Sequence, residues 1–154
     1  MLQIGDTAPD FTINDTNNSP VSLSSFKGEK NVLLLFFPFA FSSTCTEELC
    51  STRDNLKIYE SLDAQVFGIS IDSFFTLKEY KASHNLNFPL LSDFNKDVST
   101  AYNTLYEEFI GMKGVSKRSA FLINKEGVIK YTEILDNASE IPNFDAINEA
   151  LQAL

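Results

Sequence analysis

Apolar positions fall into two kinds of run along the chain. Asn31-Val32-Leu33-Leu34-Leu35-Phe36-Phe37 and Gln65-Val66-Phe67-Gly68-Ile69-Ser70-Ile71 are nearly continuous, as in strands buried on both faces, and the first stops at Pro38. Phe11–Asn14 and Pro20–Leu23 flank the turn-rich Asp15-Thr16-Asn17-Asn18-Ser19 and predict a hairpin. Ser119–Asn124 and Val128–Ile134 flank Lys125-Glu126-Gly127 and predict another, while Phe88-Pro89-Leu90-Leu91 reads as a short strand. Between these, Leu49, Leu56 and Tyr59 recur at helical spacing and predict one helix from Thr44 to about Ser61. Ser73 is placed to cap a helix running to about His84, and Asn95–Asn103 and Phe144–Leu154 read as two more.

Strands that alternate with helices and close on a hairpin plus a helix predict an α/β sandwich of the thioredoxin-like kind. It would have a central mixed sheet flanked by helices and an N-terminal β-hairpin, although pattern alone leaves other topologies open. A length of 154 residues without repeats or low-complexity segments predicts one domain spanning 1–154. Lys and Arg total 12 against 21 acidic residues, for a formal net charge of −9, and no basic run occurs. Such a surface repels phosphate backbones and anionic lipid, so neither nucleic acid nor a membrane is an expected partner. The opening MLQIGDTAPDF lacks a basic n-region followed by an apolar core, and no stretch reaches the roughly 18 apolar residues that span a bilayer. A cytoplasmic protein is expected.

The two cysteines, Cys45 and Cys50, lie where the first buried run passes into a helix. Two are too few for a disulfide scaffold, and thiols this close point to redox chemistry or a metal. Structural zinc wants about four ligands and the chain offers two Cys and one His, so no metal and no cofactor are expected. Thr44-Cys45-Thr46-Glu47 fits a capping box, with Thr44 as N-cap and Cys45 as the first helical residue. Unpaired N–H groups and the positive end of the helix dipole there favour a thiolate over a thiol, which makes Cys45 the expected nucleophile. The competing reading of any free cysteine, a small buried hydrophobe, is weakened by this position.

Pro38-Phe39-Ala40-Phe41-Ser42-Ser43-Thr44-Cys45 resembles the peroxiredoxin active-site motif: a proline, three residues, a threonine or serine, two residues, then the peroxidatic cysteine. Ala8-Pro9-Asp10-Phe11, the Phe36-Phe37-Pro38 strand exit, Glu48 and Lys117-Arg118-Ser119-Ala120-Phe121-Leu122-Ile123 fall in that family's order from residue 5 to about 134. Ser42 departs from the threonine of most members; it keeps the hydroxyl and loses a methyl that would restrict its rotamer.

The resemblance implies a thiol peroxidase that reduces hydrogen peroxide and organic hydroperoxides through a sulfenic acid on Cys45. Backbone N–H groups and the Ser42 hydroxyl would hold the two peroxide oxygens, and Pro38 would shield the thiolate from bulk water. Arg118, one of two arginines, matches the family's active-site arginine that stabilises thiolate and transition state together. Glu48 matches a family carboxylate that positions arginine, against the plainer reading of an acid that complements the helix dipole. Arg53 reads as a surface ion-pair residue. His84 reads as exposed, and Phe39 and Phe41 as an apolar collar around the site.

Cys50 is the natural thiol to capture the sulfenic acid as an intramolecular disulfide, recycled by thioredoxin or a similar dithiol or small thiol. The five-residue spacing resembles the Q-type (bacterioferritin comigratory) members, whereas the FFPFAF lead-in resembles the alkyl hydroperoxide reductase E group, often one-cysteine enzymes. A one-cysteine enzyme resolved by an external thiol therefore stays open, as do a redox sensor or holdase and a thiol–disulfide oxidoreductase. The last normally carries C-x-x-C where this chain has C-x-x-x-x-C. The family's habit of pairing through loops around the active site implies a homodimer.

Overall fold

A computed structural model describes residues 1–154. Its seven strands are β1 (Thr12–Asp15), β2 (Pro20–Ser22), β3 (Asn31–Phe36), β4 (Ala64–Ser70), β5 (Leu90–Ser92), β6 (Ser119–Ile123) and β7 (Ile129–Ile134), and they form one sheet in the order β2-β1-β5-β4-β3-β6-β7. β3, β4 and β5 run parallel to one another; β6 pairs antiparallel with β3 and β7, and β1 with β2 and β5. The helices are α1 (Ser43–Asp54), α2 (Leu56–Ser61), α3 (Phe74–Ser83), α4 (Asp97–Ala101) and α5 (Phe144–Gln152). This is the predicted thioredoxin-like sandwich, with its N-terminal hairpin at the sheet edge.

The alternation of β3 explains why its sequence is apolar from Val32 to Phe36. Leu33 and Leu35 face a core shared with Leu49, Leu56, Leu77, Tyr80, Ile147 and Leu151 of the helices α1, α2, α3 and α5. Val32, Leu34 and Phe36 face a second core with Ala8, Phe11, Leu23, Val98 and Tyr102. Every residue of β3 is buried, and its one polar side chain, Asn31 at the strand's start, gives its amide to the Leu62 carbonyl at 3.3 Å. In β4, Gly68 is needed for close approach: a Cβ there would lie 2.7 Å from Leu90 Cδ2 and 3.3 Å from the Phe37 ring.

Two predicted helices are altered. The Thr44–Ser61 helix starts one residue earlier and breaks at Asn55 into α1 and α2. Asn55 turns its side-chain amide back onto the Ser51 carbonyl at 2.8 Å, an alternative to continuing the ladder. The Asn95–Asn103 helix shrinks to α4, because the buried Asp93 carboxylate caps Val98 N–H at 3.0 Å and Ser99 N–H at 2.6 Å and so fixes its start. Ser73 caps α3 as predicted, accepting from Thr76 N–H at 3.2 Å.

Candidate active site

The site grows out of the exit of β3. Phe37 N–H still bonds to the Ile69 carbonyl of β4 at 2.9 Å, after which the buried Pro38, with no N–H to give, ends the pairing. The chain turns through Phe39–Phe41 and enters α1. Ser42 is the N-cap, with β-region backbone, so Cys45 is the third helical residue. The expected capping box does not form. The Ser42 hydroxyl donates to the Phe39 carbonyl at 2.9 Å, Thr46 N–H and hydroxyl both return to the Ser42 carbonyl, and Glu47 is exposed. A run of three hydroxyl residues, Ser42-Ser43-Thr44, offers competing caps, and the one nearest the turn prevails. Cys45 N–H stays within the first turn, where no residue of the helix can accept from it.

Sheet register delivers the arginine. Phe36 of β3 pairs with Ser119 of β6, so Arg118 stands beside the point where the chain leaves the sheet for α1. It is 1 % exposed. Its Nη2 donates to Cys45 Sγ at 3.2 Å and to the Ala138 carbonyl at 3.0 Å, and its Nη1 donates to Glu48 Oε1 at 2.9 Å. Glu48, three residues after Cys45, shares the buried face of α1 and is 0 % exposed. Burial pushes the Glu48 carboxyl up to about 7, against the opposing pull of Arg118. Burial also opposes the Arg118 charge, but the Glu48 carboxylate and the Cys45 sulfur outweigh it and hold the guanidinium above its usual range. Arg118 Nε and Glu48 Oε2 make no protein hydrogen bond.

A cavity of about 230 Å³ opens above this cluster between Pro38, Phe39, Thr44, Phe109 and Ala138, with Arg118 in its wall. Cys45 is fully buried and does not line it. Of the expected aromatic collar, Phe39 borders the cavity with its ring 6.5 Å from that of Phe109. Phe41 turns away, half-exposed, to pack edge-on against Tyr80 at 4.9 Å. His84, expected to be exposed, is half-buried, because its ring packs against Tyr80 at 5.1 Å. Arg53 forms the expected exposed ion pair with Asp54 at 2.9 Å and also donates to the His84 carbonyl.

Cys50 is half-buried at the edge of the helix-side core, and both thiols are free. Sequence reasoning missed Asp72, whose carboxylate accepts from Ala40 N–H at 2.8 Å, and Tyr80, whose hydroxyl lies 3.0 Å from that of Thr46. Neither carries a local signal; each acts through a fold contact more than thirty residues away in sequence.

The sequence pattern described as the AhpC/TSA family matches residues 4–132. Alkyl hydroperoxide reductase E of Mycobacterium tuberculosis is 38% identical over 156 residues, covering 100% of this chain and 99% of that protein. A chloroplastic 2-cysteine peroxiredoxin of Chattonella marina var. antiqua is 33% identical over 163 residues, 99% of this chain and 80% of that one. The crystal structure of peroxidoxin BcpB from Mycobacterium tuberculosis superposes with a TM-score of 0.89 at 26% identity, covering 100% of this chain and 99% of the other. Relatives that match along the whole chain, and not merely around the cysteine, place it in the AhpC/TSA family as a peroxiredoxin of the alkyl hydroperoxide reductase E type, a thiol peroxidase.

Proposed function

We propose that Cys45 is the peroxidatic nucleophile and that it reduces hydrogen peroxide and small organic hydroperoxides. The observation that carries this reading is the 3.2 Å contact of Arg118 Nη2 with Cys45 Sγ in a buried site. A cation held there stabilises negative charge at the reacting sulfur and peroxide oxygens, and in low dielectric its effect is larger than in water. The thiolate attacks the terminal oxygen of the hydroperoxide; the S–O bond forms as the O–O bond breaks, leaving a sulfenic acid and an alkoxide or hydroxide that takes up a proton. Negative charge builds on the departing oxygen, where Arg118 and the free N–H groups of the first turn of α1 are placed to receive it. Ser42, whose O–H is given to the Phe39 carbonyl, offers its oxygen at the mouth as an acceptor for the hydroperoxide O–H, Pro38 closes the wall against water, and Glu48 holds the guanidinium in place.

Cys50 then resolves the sulfenic acid as an intramolecular disulfide, which thioredoxin or a similar dithiol or small thiol reduces by exchange. The burial of Cys50 against the core supports the second reading, a one-cysteine cycle closed by an external thiol. We place the enzyme in the cytoplasm as a homodimer; no helix is long and apolar enough to cross a membrane. Peroxide consumption with a thioredoxin system tests the assignment. Cys45→Ser abolishes it, because an un-ionised alcohol cannot displace an oxygen leaving group, and residual turnover above a few per cent of wild type, on the order of 5 %, refutes the nucleophile.

A further inference from the structure

Joining Cys45 to Cys50 requires the start of α1 to open: residues five apart in an intact helix keep their Cα atoms roughly 8 to 9 Å apart, and a disulfide needs less than about 7 Å. Groups outside α1 hold this turn shut. The Thr46 hydroxyl lies 2.9 Å from the Ser42 carbonyl oxygen and 3.0 Å from the Tyr80 hydroxyl. A carbonyl can only accept, so the Thr46 hydrogen goes to Ser42 and the Tyr80 O–H donates to Thr46. Tyr80 sits in α3, is 0 % exposed, and has Thr46 as the one protein partner of its hydroxyl. Upstream, Asp72 Oδ2 accepts from Ala40 N–H at 2.8 Å and from the Ser70 hydroxyl at 2.7 Å. Between the two anchors Phe41 is held at φ +68°, left-handed backbone that a bulky residue adopts only under constraint.

We propose that Tyr80 and Asp72 form a latch on the Ala40–Thr46 segment, as positioning residues that set how long the Cys45 sulfenic acid waits before Cys50 captures it. This rests on the reading of Cys50 as the resolving thiol. The sulfenic acid has two fates. In capture, the Cys50 thiolate attacks Cys45 Sγ, the S–S bond forms, and hydroxide leaves to become water. In overoxidation, a second hydroperoxide gives an oxygen to the sulfenate, producing a sulfinic acid and water or an alcohol. The closed turn permits the second fate and forbids the first. Opening strips the buried Tyr80 hydroxyl of its partner, frees the Ala40 N–H and relaxes Phe41, so the latch works against strain already stored in the loop.

Tyr80→Phe removes the hydroxyl and keeps the ring that packs on Phe37, Phe41 and His84. With one equivalent of hydrogen peroxide and rapid-quench mass spectrometry, its sulfenic acid forms at the wild-type rate while disulfide appears roughly three- to tenfold faster, the value of one neutral hydrogen bond. Sulfinic acid accumulated over many turnovers in excess peroxide falls correspondingly. Asp72→Asn, which keeps the shape and weakens the acceptor, shifts the same ratio in the same direction by less. In the reduced Tyr80→Phe protein, amides 43–49 exchange faster with solvent deuterium. A disulfide rate within about twofold of wild type, or unchanged exchange of those amides, overturns the latch. A wild type that forms no Cys45–Cys50 disulfide overturns the resolving role instead, and the exchange measurement on reduced protein still decides the latch.

Discussion

Arg118 reaches Cys45 and Glu48 with different nitrogens of one guanidinium, at 3.2 Å and 2.9 Å. A lysine in its place could not make both contacts with this geometry, because its ammonium is a single point of charge. The fork fixes the cation against the sulfur, while the carboxylate that anchors it sits on the same helix face as the thiol. Position and charge at the reacting atom are thus set by two elements, α1 and the start of β6, that the sheet brings together.

Arg118→Ala is expected to slow Cys45 oxidation by about 10²–10³-fold, the usual loss for one charge-stabilising donor. Arg118→Lys should recover part of this, since charge returns without the fork. Stopped-flow oxidation of the reduced variants by hydrogen peroxide measures both. An Arg118→Ala rate equal to wild type would make the arginine a packing residue only.

Glu48 makes stability depend on pH in a direction opposite to that of a surface ion-paired acid. Its carboxyl lies at about 7 in the folded chain against 4.5 unfolded, chiefly through burial. Between those values the native state binds more protons than the unfolded one, so the contribution of Glu48 is fully present below pH 4.5 and is lost as pH rises through 7. Glu48→Gln, which keeps an acceptor for Arg118 without the charge, should therefore gain stability relative to wild type between pH 5 and pH 8, by on the order of 3 kcal/mol. Urea unfolding of the reduced proteins across that range tests the sign; a difference that stays flat, or runs the other way, would show that the Arg118 pairing outweighs burial.

How far the site was legible in the sequence follows from the range of each interaction. The β3 run was unmistakable because both faces of one strand are buried, and the Pro38-to-Cys45 motif is contiguous. Arg118 was found through its motif context; its distance from Cys45, across 73 residues, exists only through the pairing of Phe36 with Ser119. The cap was misplaced because Thr44 and Glu47 fit a local rule, whereas the helix start is set by the turn after Pro38, which leaves Ser42 in extended backbone with its hydroxyl on the Phe39 carbonyl. Tyr80 packs in the helix-side core; that its hydroxyl also meets Thr46 depends on how α3 lies on α1, which no periodicity encodes.

Cys50 is where the resemblances divide, and chemistry can separate them. If it resolves, one equivalent of peroxide converts reduced protein to a form about two mass units lighter with both thiols blocked, and Cys50→Ser stops at the sulfenic acid. The first turnover of that variant should match wild type, because Cys50 lies outside the cavity wall and outside the Arg118 contacts. Its steady-state turnover with thioredoxin should then collapse, since no internal thiol can reach Cys45. Capture by Cys50 is favoured once the turn opens, because a thiol on the same short segment has an effective concentration far above that of free thiols. A Cys50→Ser enzyme that turns over normally with an added thiol, beside a wild type that holds a stable sulfenic acid, would instead make Cys50 a packing residue and the cycle one-cysteine. Measuring both quantities on both proteins is decisive, because wild-type mass reports whether the bond forms and variant turnover reports whether the cycle needs it.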